Sequence, residues 1–181
     1  MNICTILIKI SDRDFILQLA IELGVLNKNF DKISSSSNPL NLNIKEIGIA
    51  QFGEWCVLVL DCNPFLESEA TTVLTKYSNN TEIFFLLTES TSAGLWFEYH
   101  VNGQLIRKWV EVESQVAVNM GEPLKQEPYE FFTSEPDEEG ERDEWKLFEL
   151  CEKVTQICAE KLFSNCLTVY MSCPPVQTNQ N

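Results

Sequence analysis

A chain of 181 residues, 44% hydrophobic and 22% charged, fits one domain with a substantial core and argues against wholesale disorder. Its formal net charge of −14 disfavours direct binding to a nucleic-acid backbone, which needs clustered Lys and Arg, and disfavours docking on anionic lipid. Such a charge favours solubility and fast encounter with a basic partner.

Met1 to Ile10 holds a short apolar stretch with no basic segment ahead of it, and Asp12, Arg13 and Asp14 follow at once, so it does not read as a signal peptide. No apolar run approaches the roughly 20 residues of a spanning helix. A cytoplasmic protein is the expectation. Ile3 to Ile10 reads as a buried strand, and Ser11 or Asp12 caps a helix in which Phe15, Ile16, Leu19 and Leu23 recur at helical spacing before Gly24. Asn27 to Asn43, with Ser34-Ser35-Ser36-Ser37-Asn38-Pro39, has the composition of a surface loop.

Ile44 to Ala50 and Trp55 to Leu60 read as two strands, the second continuously apolar and so central, covered on both faces. Asn63-Pro64 opens a second helix whose stripe is Phe65 or Leu66, Ala70, Val73, Leu74 and Tyr77. Ile83 to Leu87 is another apolar strand. Leu95 to Val101 and Gln104 to Val112 then flank Asn102-Gly103, a strong signal for a two-residue hairpin turn. An unbroken ladder from that turn sets Val101 against Gln104, Tyr99 against Ile106, Glu98 against Arg107 and Trp96 against Trp109. It predicts a core face of Leu95, Phe97, Tyr99, Val101, Ile106 and Val110, and a mixed face of Trp96, Glu98, His100, Leu105, Arg107 and Trp109.

From Glu111 to Glu144 twelve acids stand against Lys125 and Arg142, and Pro123, Pro128 and Pro136 interrupt the run, which predicts a long acidic loop over about 111–144. A last helix starts at Asp143 with the stripe Leu147, Leu150, Cys151, Val154, Ile157, Cys158 and Leu162. The expected fold is α+β: a mixed or antiparallel sheet of about five or six strands, helices packed on one side, in the order β-α-β-β-α-β-β-β-α. Residues 1–170 form the single domain and 171–181 a polar tail.

Motifs that carry chemistry are scarce. His100 is the sole histidine, and no G-x-S-x-G elbow accompanies it, so a partly exposed strand histidine is a better reading than a catalytic base. Cys4, Cys56, Cys62, Cys151, Cys158, Cys166 and Cys173 are odd in number and contain no C-x-x-C pair. They read as reduced core thiols, with Cys151 and Cys158 on one face of the last helix, and not as a disulfide framework or a zinc site. Glu135 to Glu144 lacks the order of an EF-hand loop, and neither phosphate-binding glycine motif is present. No catalytic residue, cofactor or metal site is assigned.

Two features remain as partner-binding candidates. One is the Trp96–Trp109 pair beside Glu98 and Arg107: left bare, such a face suggests an interface, where Trp and Arg are enriched, whereas a covering helix or the acidic loop makes it core. The other is the acidic segment, with Glu135, Asp137, Glu138 and Glu139 at its centre.

The segment Gly53-Glu54-Trp55-Cys56-Val57-Leu58-Val59-Leu60-Asp61, the strand Glu82 to Leu87, the hairpin Tyr99-His100-Val101-Asn102-Gly103-Gln104-Leu105-Ile106-Arg107 and the loop Gly121-Glu122-Pro123-Leu124 occur in that order. Together, over about residues 50–160, they resemble a group of small, acidic, uncharacterised bacterial proteins with an N-G-x-L-h-R hairpin followed by a G-E-P-L acidic loop. In size and acidity the group is similar to bacterial immunity proteins, which neutralise a toxin by binding it. That is an analogy of type and transfers no functional residues. The expectation is a non-enzymatic protein-binding module, an immunity or antitoxin-type inhibitor of a basic toxin or effector. The alternative is a structural or regulatory subunit of a bacterial assembly.

Overall fold

The computed structural model describes residues 3–36, 42, 46–60, 69–89, 94–113, 115–127, 144–164 and 167–172. In chain order they form β1 (Ile3–Ile8), α1 (Arg13–Glu22), β2 (Phe30–Ser36), β3 (Glu46–Phe52), β4 (Trp55–Leu60), α2 (Ala70–Tyr77), β5 (Glu82–Glu89), β6 (Gly94–Val101), β7 (Gln104–Val112), β8 (Gln115–Met120), α3 (Trp145–Thr155), α4 (Ala159–Ser164) and β9 (Leu167–Ser172). The strands join in one nine-stranded sheet, ordered β2-β9-β3-β4-β1-β5-β6-β7-β8. Every pairing is antiparallel.

The sheet separates two apolar layers. Cys4, Ile6 and Ile8 of β1 face one way, into a cluster with Ile16 and Leu19 of α1 and Ala70 and Leu74 of α2. Leu7 faces the other way, into a cluster with Leu147, Leu150 and Cys151 of α3 and Leu162 of α4. This is the period-two alternation of a strand buried on both sides. The continuously apolar β4 is buried at all six positions, and β5 is buried from Ile83 through Thr88.

The expected α+β sheet of five or six strands with helices on one side is therefore corrected. The described residues are largely β, with nine strands in one sheet, and helices cover both faces. Three strands account for the difference in order. β2 carries the serine run that reads as loop; it is an edge strand with Asp31, Lys32 and Ile33 exposed, so burial imposes no alternation on it. β8 lies inside the acidic stretch expected to be a loop, and five of its six side chains are exposed. β9 follows the last helix and buries Leu167, Val169 and Tyr170; Met171 and Ser172, expected in a tail, complete it.

The last helix is also corrected. Gln156 takes a left-handed conformation (φ 65°) that ends α3, so Cys151 and Cys158 do not share one helix face. Asp12 is the cap of α1, its carboxylate accepting from the Asp14 and Phe15 amides at 3.0 and 3.4 Å.

The hairpin turn is the expected one, with positive φ at both Asn102 (51°) and Gly103 (76°), as a type I′ turn requires. The ladder above it is not unbroken. Val101 pairs with Gln104 and His100 with Leu105, but a bulge then skips Ile106, so that Tyr99 faces Arg107, Glu98 faces Lys108, Phe97 faces Trp109 and Trp96 faces Val110. A one-residue slip exchanges the two faces of a strand. Arg107 and Trp109 move to the α3 side with Phe97, while Lys108 and Val110 join Trp96 and Glu98 on the α2 side. Ile106, expected in the core, is left 36% exposed.

The turn is tied to α2: the Gly103 amide donates to the Ser78 carbonyl at 3.2 Å and hydroxyl at 3.1 Å, and the Asn102 amide to the Thr81 carbonyl at 3.0 Å. A Cβ at Gly103 has room, its nearest neighbour being Asn79 Oδ1 at 3.7 Å. Gly103→Val is therefore expected to cost about 1–2 kcal/mol from backbone strain alone. A denaturation midpoint unchanged from wild type speaks against the turn.

Candidate functional site

The slip in β7 creates two buried charge networks on opposite faces of the sheet. On the α2 face Glu98 and His100 are fully buried. Glu98 Oε1 accepts from Thr71 Oγ1 at 2.7 Å, Trp96 Nε1 at 3.0 Å and Lys108 Nζ at 2.7 Å. Its Oε2 accepts from His100 Nε2 at 2.9 Å. Lys108 Nζ also donates to Thr71 Oγ1 at 2.8 Å and stands 4.6 Å from the centre of the Trp96 ring.

Thr75 Oγ1 lies 3.1 Å from His100 Nδ1 and 2.8 Å from the Thr71 carbonyl oxygen, one turn back along α2. If Thr75 donates to that carbonyl, both ring nitrogens donate. If it donates to Nδ1, the ring is neutral with its proton on Nε2. In either case Nε2 donates to Glu98. Burial pushes the Glu98 carboxyl up, but the hydrogen bonds from His100, Lys108 and Thr71, with the Lys108 charge, outweigh it and hold the group below its usual range.

On the α3 face Arg107 and Glu127 have side chains only 1% and 2% exposed. Arg107 Nε and Nη2 donate to the two Glu127 oxygens at 2.8 and 3.2 Å, a bidentate fork. Nη1 donates to Asn119 Oδ1 at 2.6 Å, the Met120 carbonyl at 3.0 Å and the Gly121 carbonyl at 3.3 Å. Glu127 Oε1 also accepts from the Leu124 amide at 2.8 Å. The guanidinium lies 5.9 Å from the Phe97 ring centre and 5.7 Å from that of Trp109.

Gly121 makes this return of the chain possible. Its φ is +80°, and a Cβ there would overlap the carbonyl oxygen of Ile106, the bulged residue. The bulge that re-aims Arg107 and the turn at Gly121 thus form one device, which fastens 119–127 to the sheet.

A third polar group sits at the end of the sheet where β1 and β4 meet the hairpin turn. Glu82 accepts from Lys9 Nζ at 2.8 Å and from the Tyr99 hydroxyl at 2.7 Å. Burial and then the Glu82 carboxylate push the Tyr99 hydroxyl well above its usual range. Two open grooves of about 690 and 580 Å³ flank this pair and share Lys9, Gly53 and Glu54. Neither is lined by Glu98, His100, Arg107 or Glu127.

The sequence candidates are thus dispersed. Trp96 is half-buried, edge-on to Phe85 with ring centres 5.6 Å apart, and belongs with Glu98 to the α2-side network. Trp109 is 2% exposed and Arg107 1%, both on the α3 side. Trp96 does not face Trp109, nor Glu98 Arg107, and the four side chains do not form one surface. Glu135, Asp137, Glu138 and Glu139 lie outside the described residues. His100, read as partly exposed, is buried against α2.

Lys108, Thr71, Thr75, Asn119 and Glu127 were not singled out from sequence. The only available signal was arithmetic: a buried Glu and a buried Arg each need an opposite charge, and Lys108 and Glu127 are near them in the chain.

Cys4, Cys56 and Cys151 are buried and Cys158 half-buried. Burial pushes the Cys56 thiol up to about 11 and that of Cys151 up to about 12, the behaviour of inert core thiols. Cys62, Cys166 and Cys173 lie outside the described residues. Among the described residues no three His, Cys, Asp or Glu side chains stand together as a metal site, and no helix is long and apolar enough to cross a membrane. No protein-family model, curated protein or solved structure matches the chain.

Proposed function

We propose that this protein is a non-enzymatic binding module of the immunity or antitoxin type, which neutralises a basic toxin or effector through an acidic surface. The observation that carries this reading is where the charge sits. Each buried carboxylate of the two networks has its own cation, Lys108 for Glu98 and Arg107 for Glu127. These pairs cancel internally, so the formal charge of −14 is left to the rest of the chain. Asp12, Asp14, Asp31, Glu54, Glu69, Glu113, Glu122, Glu149, Glu152 and Glu160 are exposed acids, and a further seven acids against one Arg occur in 128–143.

A surface of that sign attracts Lys and Arg over about a Debye length, roughly 8 Å at physiological salt, and speeds encounter with a basic protein. The buried networks are closed by their neighbours and touch neither groove, which supports a structural role for Glu98 and His100 over an acid–base one. We place the protein in the cytoplasm, where buried thiols stay reduced.

The partner is to be recovered by pull-down from native lysate with mass spectrometry. Changing Glu135, Asp137, Glu138 and Glu139 together to Gln is then expected to leave the denaturation midpoint nearly unchanged if their charges serve a partner and not the fold. It is expected to slow association and to flatten the salt dependence of the on-rate. A wild-type association rate for this variant at low salt overturns the acidic-surface reading.

A further inference from the structure

The two edges of the sheet are protected unequally. Strand β2, at one end, carries the charged Asp31 and Lys32 and a bulge between Lys32 and Ser34, devices that discourage pairing with another chain. Strand β8, at the other, reads Gln-Val-Ala-Val-Asn-Met over 115–120, with no charge and no proline. Among the described residues no strand lies beyond it. Its one irregularity is in the pairing with β7, at Ala117, and Val118, Asn119 and Met120 run in regular register against Val110, Trp109 and Lys108.

Among the described residues seven large hydrophobic side chains are exposed by more than a third, and four of them are on these last two strands: Ile106 (36%), Val112 (43%), Val116 (44%) and Met120 (54%). The strand is also held in place. Arg107 bonds Asn119 Oδ1 and the Met120 and Gly121 carbonyls from the inner side, so a ligand meets an edge already ordered and the ordering cost of binding falls.

We infer that the outer edge of β8 accepts an extended, basic segment of the partner as a tenth strand. The inference rests on the acidic-surface reading for the sign of that partner. Exposed Glu113 and Glu122 bracket the strand, and the stretch 111–144 holds twelve acids against two basic residues. A second copy of this chain fits worse: symmetric antiparallel pairing of two β8 strands sets Glu113 of one against Glu122 of the other and brings together two charges of −14. The favoured occupant alternates apolar and small polar residues and is flanked by Lys or Arg. Backbone hydrogen bonds to the edge supply affinity, Val118 and Met120, which share one face opposite Val110 and Lys108, take its apolar side chains, and the flanking acids take its charges.

The test uses the full chain and the synthetic peptide Lys-Lys-Val-Thr-Val-Thr-Val-Lys-Lys, with two versions N-methylated at one or the other alternate set of backbone nitrogens. Methylation leaves the charge unchanged and removes one row of donors. Strand addition predicts that one methylated peptide binds like the parent, whereas the other binds at least about tenfold more weakly through lost hydrogen bonds and added bulk. Amide exchange over 115–120 slows in the complex. Val118→Thr with Met120→Thr weakens binding by about threefold or more while leaving the circular dichroism unchanged.

Equal binding of both methylated peptides overturns the tenth strand and leaves the acidic-surface reading standing, because charge alone then captures the peptide. Equal binding of a Glu-flanked peptide overturns the basic occupant. Failure of the parent peptide to bind, or a dimer abolished by the double Thr variant, overturns the inference altogether.

Discussion

Arg107→Met is expected to lower stability by about 3–5 kcal/mol, the usual cost of breaking a buried ion pair by removing one partner. Met keeps most of the aliphatic volume against Phe97 and Trp109, so little of the loss is a cavity. What remains is Glu127, 2% exposed, with its cation gone, and Asn119 Oδ1 and the Met120 carbonyl without the donor that held them. Adding Glu127→Leu to Arg107→Met removes the stranded carboxylate and is expected to recover a large part of the loss, because a well-packed apolar pair often replaces a buried ion pair at little net cost. Urea denaturation of the four proteins closes the cycle. A single-variant loss under about 1 kcal/mol means that the pair does not fasten 119–127 to the sheet.

That network also shows where sequence reasoning stopped. The continuous apolar runs 55–60 and 83–87 marked central strands because burial on both faces favours an unbroken apolar stretch. Asn102-Gly103 marked a type I′ turn because few other dipeptides take positive φ twice. The bulge at Ile106 left no such mark. Nothing in Leu105-Ile106-Arg107 differs locally from a regular strand, and the residues that select the bulge are distant: Gly121, which fits only against the Ile106 carbonyl, and Glu127, which needs Arg107 on its side of the sheet. One slipped residue then carried Arg107 and Trp109 to the opposite face from Trp96 and Glu98, and the apparent surface cluster divided into two interior ones.

Two of the missed strands, β2 and β8, share a different cause. Both lie at the sheet's edges, with Asp31, Lys32 and Ile33 of β2 and five of the six β8 side chains exposed, so neither had to alternate, and their identity rests on backbone pairing with a neighbour that a linear sequence does not reveal. Of the candidate surface, the acidic bias of 111–144 was legible as composition, whereas the uncharged edge inside it emerges only once 115–120 is known to be a strand with one neighbour.

On the opposite face, Glu98→Leu is expected to cost about 2–4 kcal/mol, because four donors from Thr71, Trp96, His100 and Lys108 lose their shared, fully buried acceptor. Glu98→Gln retains an acceptor for three of them but turns a donor toward His100, so a smaller loss of about 1–2 kcal/mol is expected. The more telling difference is in the pH dependence. Glu98 is held below the ordinary carboxylate value of 4.5, so the unfolded chain takes up its proton first as pH falls. The stabilisation from its ionised form is fully present above about pH 4.5 and is lost as pH drops through the lower, folded value. Near the isoelectric point of 4.4 the self-repulsion of the acidic chain fades, which opposes this loss in the wild type. The same fading acts on Glu98→Gln, so subtracting the two profiles isolates the Glu98 contribution. As pH falls below 4.5 the gap in stability between wild type and Glu98→Gln is expected to narrow steadily, read from urea midpoints at each pH. A gap that stays constant over that window means that the carboxylate is not held ionised by His100, Lys108 and Thr71, and the network then contributes packing without charge.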